Sequence, residues 1–198
     1  FSGIVMCRRP TGPLPLPGRA LSAEQKLGGE NIKKNIIVAQ SGGPTAVING
    51  SLYGVVSEGI KMTDHIDTVY GMINGIEGFL QGHYMDLGAL DTTNELELVR
   101  TTPGAYLGSC RYKLPEDLHD PVYPELFRRF EELNIGYFFY IGGNDSMDTV
   151  SKLSRYAGFM NSTIRFIGVP KTIDNDLVET DPVSYTHLRA HETDQYIG

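Results

Sequence analysis

The chain has 198 residues, 40% hydrophobic and 21% charged, with two cysteines and a net charge of -7. That length suits one domain with a sizeable core, and the acidic balance disfavours a general nucleic-acid binder or a protein held on an anionic membrane. Two distant cysteines exclude a disulfide framework or zinc knuckle, and no apolar run reaches the roughly 18 residues of a membrane helix, so a cytoplasmic protein is expected.

Residues 1–32 hold Pro10, Pro13, Pro15 and Pro17 and show no sustained period of 2 or 3.6. They read as a disordered leader, and as non-native sequence. Gly28-Gly29-Glu30 is what a purine-rich ribosome-binding site would encode, and a protein start follows near Ile32-Lys33-Lys34.

Residues 33–181 are regular. NIIVAQ at 35–40 is a β-rich run ending in Ser41-Gly42-Gly43-Pro44-Thr45, and 46–59 reads as a helix. IDTVY at 66–70 is a second strand, and 71–80 pass from loop into a helical turn. Leu126, Phe127, Phe130 and Leu133 recur at helical spacing and predict a helix over 124–134. YFFYI at 137–141 is a buried-type strand. Gly142-Gly143-Asn144-Asp145 then opens a helix with Met147, Val150, Leu153 and Ala157 on one face. IRFIGV at 164–169 is the next strand and runs into Pro170-Lys171-Thr172-Ile173-Asp174-Asn175-Asp176. Strand, glycine loop, helix, strand is the pattern of an α/β fold with a mostly parallel sheet, expected as a three-layer sandwich. Residues 182–198 break the pattern. His187 and His191 stand four apart there, but the segment reads as foreign rather than as a metal site.

Ligands of open α/β sheets bind beyond the carboxyl ends of the strands. Three strands here end in SGGPT, GGNDS and PKTIDND. Each of the first two alone is equally well an ordinary turn or helix cap. Asp174, Asn175 and Asp176 beside a lysine and a threonine make poor loop padding, and the three loops together read as a phosphate site. Glycines let backbone amides approach phosphate oxygens, and a following helix start adds partial positive charge. In an acidic protein that attraction must be local, so Arg111 and Lys171 are the candidate cations, with a divalent metal as a third. Neither GxxxxGK[ST] nor GxGxxG occurs.

Four stretches in order resemble the phosphofructokinase family, and more closely its pyrophosphate-dependent branch: Ser41–Asn49, Thr102–Arg111, Gly142–Thr149 and Pro170–Asp176. The resemblance spans about Lys33–Asp181 and implies a phosphofructokinase-like sandwich, truncated. It implies a glycolytic enzyme that moves a phosphoryl group from pyrophosphate to the 1-hydroxyl of fructose 6-phosphate with Mg²⁺. By resemblance, Gly43, Arg111, Gly143 and Ser146 bind the donor phosphates. Asp174 accepts the proton of the 1-hydroxyl, Thr172, Asp174 and Asp176 serve the sugar phosphate, and Asn144 stands at the metal-ligand position. A homo-oligomer is implied for the full-length protein, with neither nucleic acid nor membrane as partner.

ATP-dependent members of the family have Asp-Gly after the glycine pair, where this chain has Asn144-Asp145. Asn is a weaker metal ligand than Asp. The Asp145 carboxylate fills the room a glycine leaves for the α-phosphate of ATP, and repels that phosphate. Lys171 replaces a small residue of ATP users, and its ammonium can neutralise charge on a pyrophosphate leaving group. The alternatives are an ATP-dependent 6-phosphofructokinase, or a catalytically silent module that binds sugar phosphates. VSYTHLRAHET at 183–193 resembles translated sequencing adapter. The family's downstream sugar-phosphate residues do not follow Asp181, so the 198-residue chain alone is expected to be inactive.

Overall fold

The computed structural model describes Val5–Met6 along the backbone and residues 33–43, 45–92 and 95–171. In chain order the elements are β1 (Val5–Met6), β2 (Lys34–Gln40), α1 (Ala46–Lys61), β3 (Ile66–Met72), α2 (Gly75–Leu80) and β4 (Tyr84–Asp86). They continue with α3 (Ala89–Thr92), α4 (Leu96–Thr101), α5 (Val122–Glu132), β5 (Ile135–Gly142), α6 (Asn144–Phe159) and β6 (Arg165–Pro170).

Period-two alternation along the central strands sends apolar side chains to both faces of one sheet. Ile37 and Ala39 of β2, with Phe138 and Tyr140 of β5, pack under α2, α5 and α6. Ile36 and Val38, with Ile141, pack on the other side against Ile48, Leu52 and Val56 of α1 and Leu96 and Val99 of α4. The first core is aromatic: Phe79 stacks on Phe130 at 5.5 Å, and Tyr123 on Tyr156 at 5.0 Å. Two covered faces make the three-layer α/β sandwich that the sequence predicts.

The sheet order is β1-β6-β5-β2-β3-β4. β6, β5, β2 and β3 are mutually parallel, and β1 and β4 pair antiparallel at the two edges. From β2 the chain crosses outward to β3, then returns past β2 to form β5 and β6. The order in which strands are laid down therefore switches sides at β2, and the carboxyl ends of the parallel strands β2 and β5 flank a crevice.

Local boundaries differ in places from the sequence pattern. α5 starts at Val122 because Asp120 Oδ1 accepts the Val122 amide at 2.9 Å. Pro124 then falls in the first turn, where its missing amide costs no hydrogen bond. β4, α3 and α4 have no clear periodic signal. β4 exists by pairing with β3, and Tyr84 packs edge-on against Tyr70 at 5.7 Å. Within the expected leader, Val5 and Met6 pair with Gly168 and Ile167 of β6. The rest of 1–32, and 182–198 with His187 and His191, lie outside the described residues. Among the described residues no helix is long and apolar enough to cross a membrane.

Candidate functional site

β2 and β5 end side by side, and each ends in a glycine pair. Gly42 turns the chain at φ +78°, in the region that L side chains avoid. Gly142 is required for a different reason. A Cβ there would overlap the Ser146 side chain and lie 3.1 Å from the Ser41 carbonyl oxygen, so only glycine lets the two loops approach.

A third segment is fastened across the top. Ser41 forms a parallel bridge with Cys110, and its Oγ donates to the Cys110 carbonyl at 3.1 Å. Ser109 Oγ donates to the Gly42 carbonyl at 2.6 Å. These bonds carry Arg111 and Lys113 to the rim of the crevice. From β6, the Lys171 amide donates to the Gly142 carbonyl at 2.9 Å. The Lys171 ammonium reaches the β2 loop, 3.5 Å from where a Gly42 Cβ would stand. Behind them α6 begins at Asn144 with no side chain capping its N-terminus, so its partial positive charge faces the crevice.

The crevice has a volume of about 330 Å³. Among the described residues, Arg111, Lys113 and Lys171 line it against one carboxylate, Asp145. Asp145 stands in the first turn of α6, exposed, with an oxygen 3.1 Å from Lys113 Nζ. Partial burial holds the Lys171 ammonium below the ordinary lysine pKa. Beneath the floor, Tyr140 is fully buried, and burial pushes its phenol well above the usual range. Its hydroxyl has no hydrogen-bond partner among the described residues.

The structure therefore gathers Gly43, Arg111, Gly143, Asn144, Asp145, Ser146 and Lys171 around one crevice. Thr172, Asp174 and Asp176 lie outside the described residues. Reasoning from sequence missed Lys113, whose signal is its i+2 spacing from Arg111 in a segment with no helical period. It also singled out Gly43 and Gly143, whereas the packing demands fall on Gly42 and Gly142. Among the described residues, an added Cβ meets nothing within 4 Å at Gly43, and only the Lys171 carbonyl at 3.8 Å at Gly143.

A resident Mg²⁺ finds a poor fit among these residues. Magnesium favours carboxylate oxygens with near-octahedral geometry. Asp145 is engaged by Lys113, Asn144 offers only an amide, and no three His, Cys, Asp or Glu converge among the described residues.

The sequence model of the family described as phosphofructokinase matches residues 35–184. The chain belongs to the phosphofructokinase family. It is 47% identical over 149 residues to the pyrophosphate–fructose 6-phosphate 1-phosphotransferase of Rhodospirillum rubrum, covering 75% of this chain and 35% of that protein. It is 42% identical over 149 residues to the protein of the same name from Methylococcus capsulatus, with the same coverage of 75% and 35%. Among solved structures, the pyrophosphate-dependent phosphofructokinase of Nitrosospira multiformis superposes with a TM-score of 0.67 at 43% identity, over 74% of this chain and 36% of that one. This phosphofructokinase-family chain thus spans about a third of the length of the curated relatives it matches.

Proposed function

We propose that this chain carries the phosphoryl-donor side of an enzyme that transfers phosphate from pyrophosphate to the 1-hydroxyl of fructose 6-phosphate. The observation that carries the proposal is Asp145. Its exposed carboxylate lines the crevice with Arg111, Lys113 and Lys171, and its charge would repel a further phosphate group placed against it. Pyrophosphate has no such further group; a nucleoside triphosphate does. The names of the relatives from Rhodospirillum rubrum and Methylococcus capsulatus support the same donor.

The chemistry proposed is in-line displacement. The sugar 1-hydroxyl oxygen bonds to one phosphorus of pyrophosphate, the bridging P–O bond breaks, and orthophosphate leaves. Backbone amides at Gly43 and Gly143, the Ser146 hydroxyl and the Arg111 guanidinium hold the donor oxygens. Lys171, drawn into the crevice and half-buried, offsets the charge that builds on the leaving phosphate. Asp174 takes the hydroxyl proton, and Thr172 and Asp176 contact the sugar phosphate; these three roles rest on the resemblance of the TIDND loop to the family.

The test is a donor assay on the gene product that contains this chain. Fructose 6-phosphate with pyrophosphate should yield the bisphosphate and orthophosphate, and ATP should not replace pyrophosphate. Turnover with ATP and none with pyrophosphate would overturn the proposal.

A further inference from the structure

Arg111 and Lys113 are carried by residues 111–115, which have neither helix nor strand pairing. Past the Cys110 bridge, the position of these two cations depends on what holds the segment from outside. One side chain of α6 does so. Lys152 is 5% exposed, and its ammonium meets three acceptors: the Leu114 carbonyl at 3.1 Å, Glu116 Oε1 at 2.6 Å and Asp148 Oδ2 at 2.7 Å. An ammonium has three protons, so its donor capacity is filled. Two of the three acceptors lie on the 111–116 segment and the third on α6 itself.

Lys152 sits two turns beyond Asp145 and Ser146 on the same helix, so a rigid helix joins this anchor to the crevice. Leu114 is buried at 3% exposure, and Tyr123 of α5 donates its hydroxyl to the Pro115 carbonyl at 2.6 Å. The segment is thus held against the sandwich at 114–116 and against the β2 loop at 109–110. Between those points it projects Arg111 and Lys113 over the start of α6. Asp148 first, then Glu116, raise the Lys152 pKa, so the anchor stays charged.

Stability alone is a weak reason for a buried ammonium. Replacing a buried ion pair with an apolar residue of similar volume is often neutral. A charge with three fixed acceptors instead specifies one geometry. We propose that Lys152 is a positioning residue for the phosphoryl donor: it locks the 111–116 segment to α6, and so fixes Arg111 and Lys113 on the donor oxygens. The inference rests on the donor assignment above. Lys152 does not itself line the crevice.

The experiment compares wild type, Lys152→Met, Lys152→Arg, Arg111→Met and the Lys152→Met/Arg111→Met double variant in the gene product that contains this chain. Calorimetric titration with inorganic pyrophosphate is paired with steady-state kinetics. Displacement of oriented groups by about 1 Å can cost on the order of 10²-fold. Lys152→Met should weaken pyrophosphate affinity at least ten-fold, on the order of that effect. The KM for fructose 6-phosphate should stay within about two-fold, and Lys152→Arg should restore part of the loss. The two losses should be far from additive in the double variant, because Lys152 acts through Arg111. Should Lys152→Met fail to fold, Glu116→Ala on the exposed side removes one acceptor of the same tether and should weaken pyrophosphate binding in the same direction. Wild type that binds no pyrophosphate overturns the donor assignment and this proposal together. Wild type that binds, with Lys152→Met or Glu116→Ala binding equally well, overturns this proposal alone. So do additive losses in the double variant.

Discussion

Gly43 and Gly142 both belong to a glycine pair at a strand end, yet alanine at the two positions should do opposite things. At Gly142 the new Cβ would sit 2.6 Å from Ser146 Cβ and 3.1 Å from the Ser41 carbonyl, besides overlapping the Ser146 hydroxyl. Neither Cβ nor backbone can swing away, so the start of α6 must move. Overpacking of that kind costs about 1–3 kcal/mol, and each kcal/mol lowers Tm by about 2–4 °C in a chain of this size. At Gly43 an added Cβ meets nothing within 4 Å among the described residues. Gly43→Ala should therefore leave stability within about 0.5 kcal/mol. The open space is where the proposed donor meets the backbone, and a methyl group there should weaken pyrophosphate about ten-fold, of the order that a small misplacement of oriented groups produces. Thermal unfolding with and without pyrophosphate separates the two effects. At 100 times the wild-type Kd, ligand adds about 2.7 kcal/mol, and a ten-fold weaker site adds about 1.4. Gly43→Ala should keep its unliganded Tm and lose about half of the ligand-induced shift, while Gly142→Ala loses Tm before any ligand is added. A full ligand shift in Gly43→Ala, or an unliganded Tm as low as that of Gly142→Ala, would refute the reasoning.

Asp145→Gly combined with Lys171→Gly should lower pyrophosphate use and admit ATP; unchanged ATP affinity in that double variant would remove the steric and electrostatic basis for donor choice. Asp174→Asn should lower kcat by about 10²–10⁴ with the fold intact, which steady-state kinetics and circular dichroism check together. Burial depresses the Lys171 pKa below the ordinary lysine value, so the group is partly deprotonated at alkaline pH, and a bound anion should restore its proton. Pyrophosphate binding should therefore take up protons at alkaline pH below the ordinary lysine range, visible as a buffer-dependent heat, and Lys171→Met should abolish that uptake. The same depression has a stability sign: the unfolded chain holds more protons in that window, so Lys171's contribution to stability rises with pH there and is flat below it.

Local pattern was enough for much of the sandwich. The apolar runs of β2, β5 and β6, the glycine pairs after β2 and β5, and the one-sided periodicity of α5 and α6 are all written in neighbouring residues. Hydrogen bonding and burial along a strand or helix depend on residues only a few positions apart. The motif loops were legible for the same reason, each being a short run at a strand end. Edge pairing was not legible: β4 and the pairing of Val5–Met6 exist only because distant strands present unpaired backbone there. The assembly of the site was likewise beyond local pattern. The parallel pairing of β2 with β5 brings Ser41 beside Gly142, and makes Gly142 rather than Gly43 the glycine that packing demands. Lys152 shows the limit most plainly. In sequence it is one more lysine on a polar stretch of helix; in the fold it is buried and bonded to Leu114, 38 residues away. A side chain's partners depend on which distant segments packing brings within hydrogen-bonding reach of it, and that is decided only when the sheet order and both of its covered faces are formed.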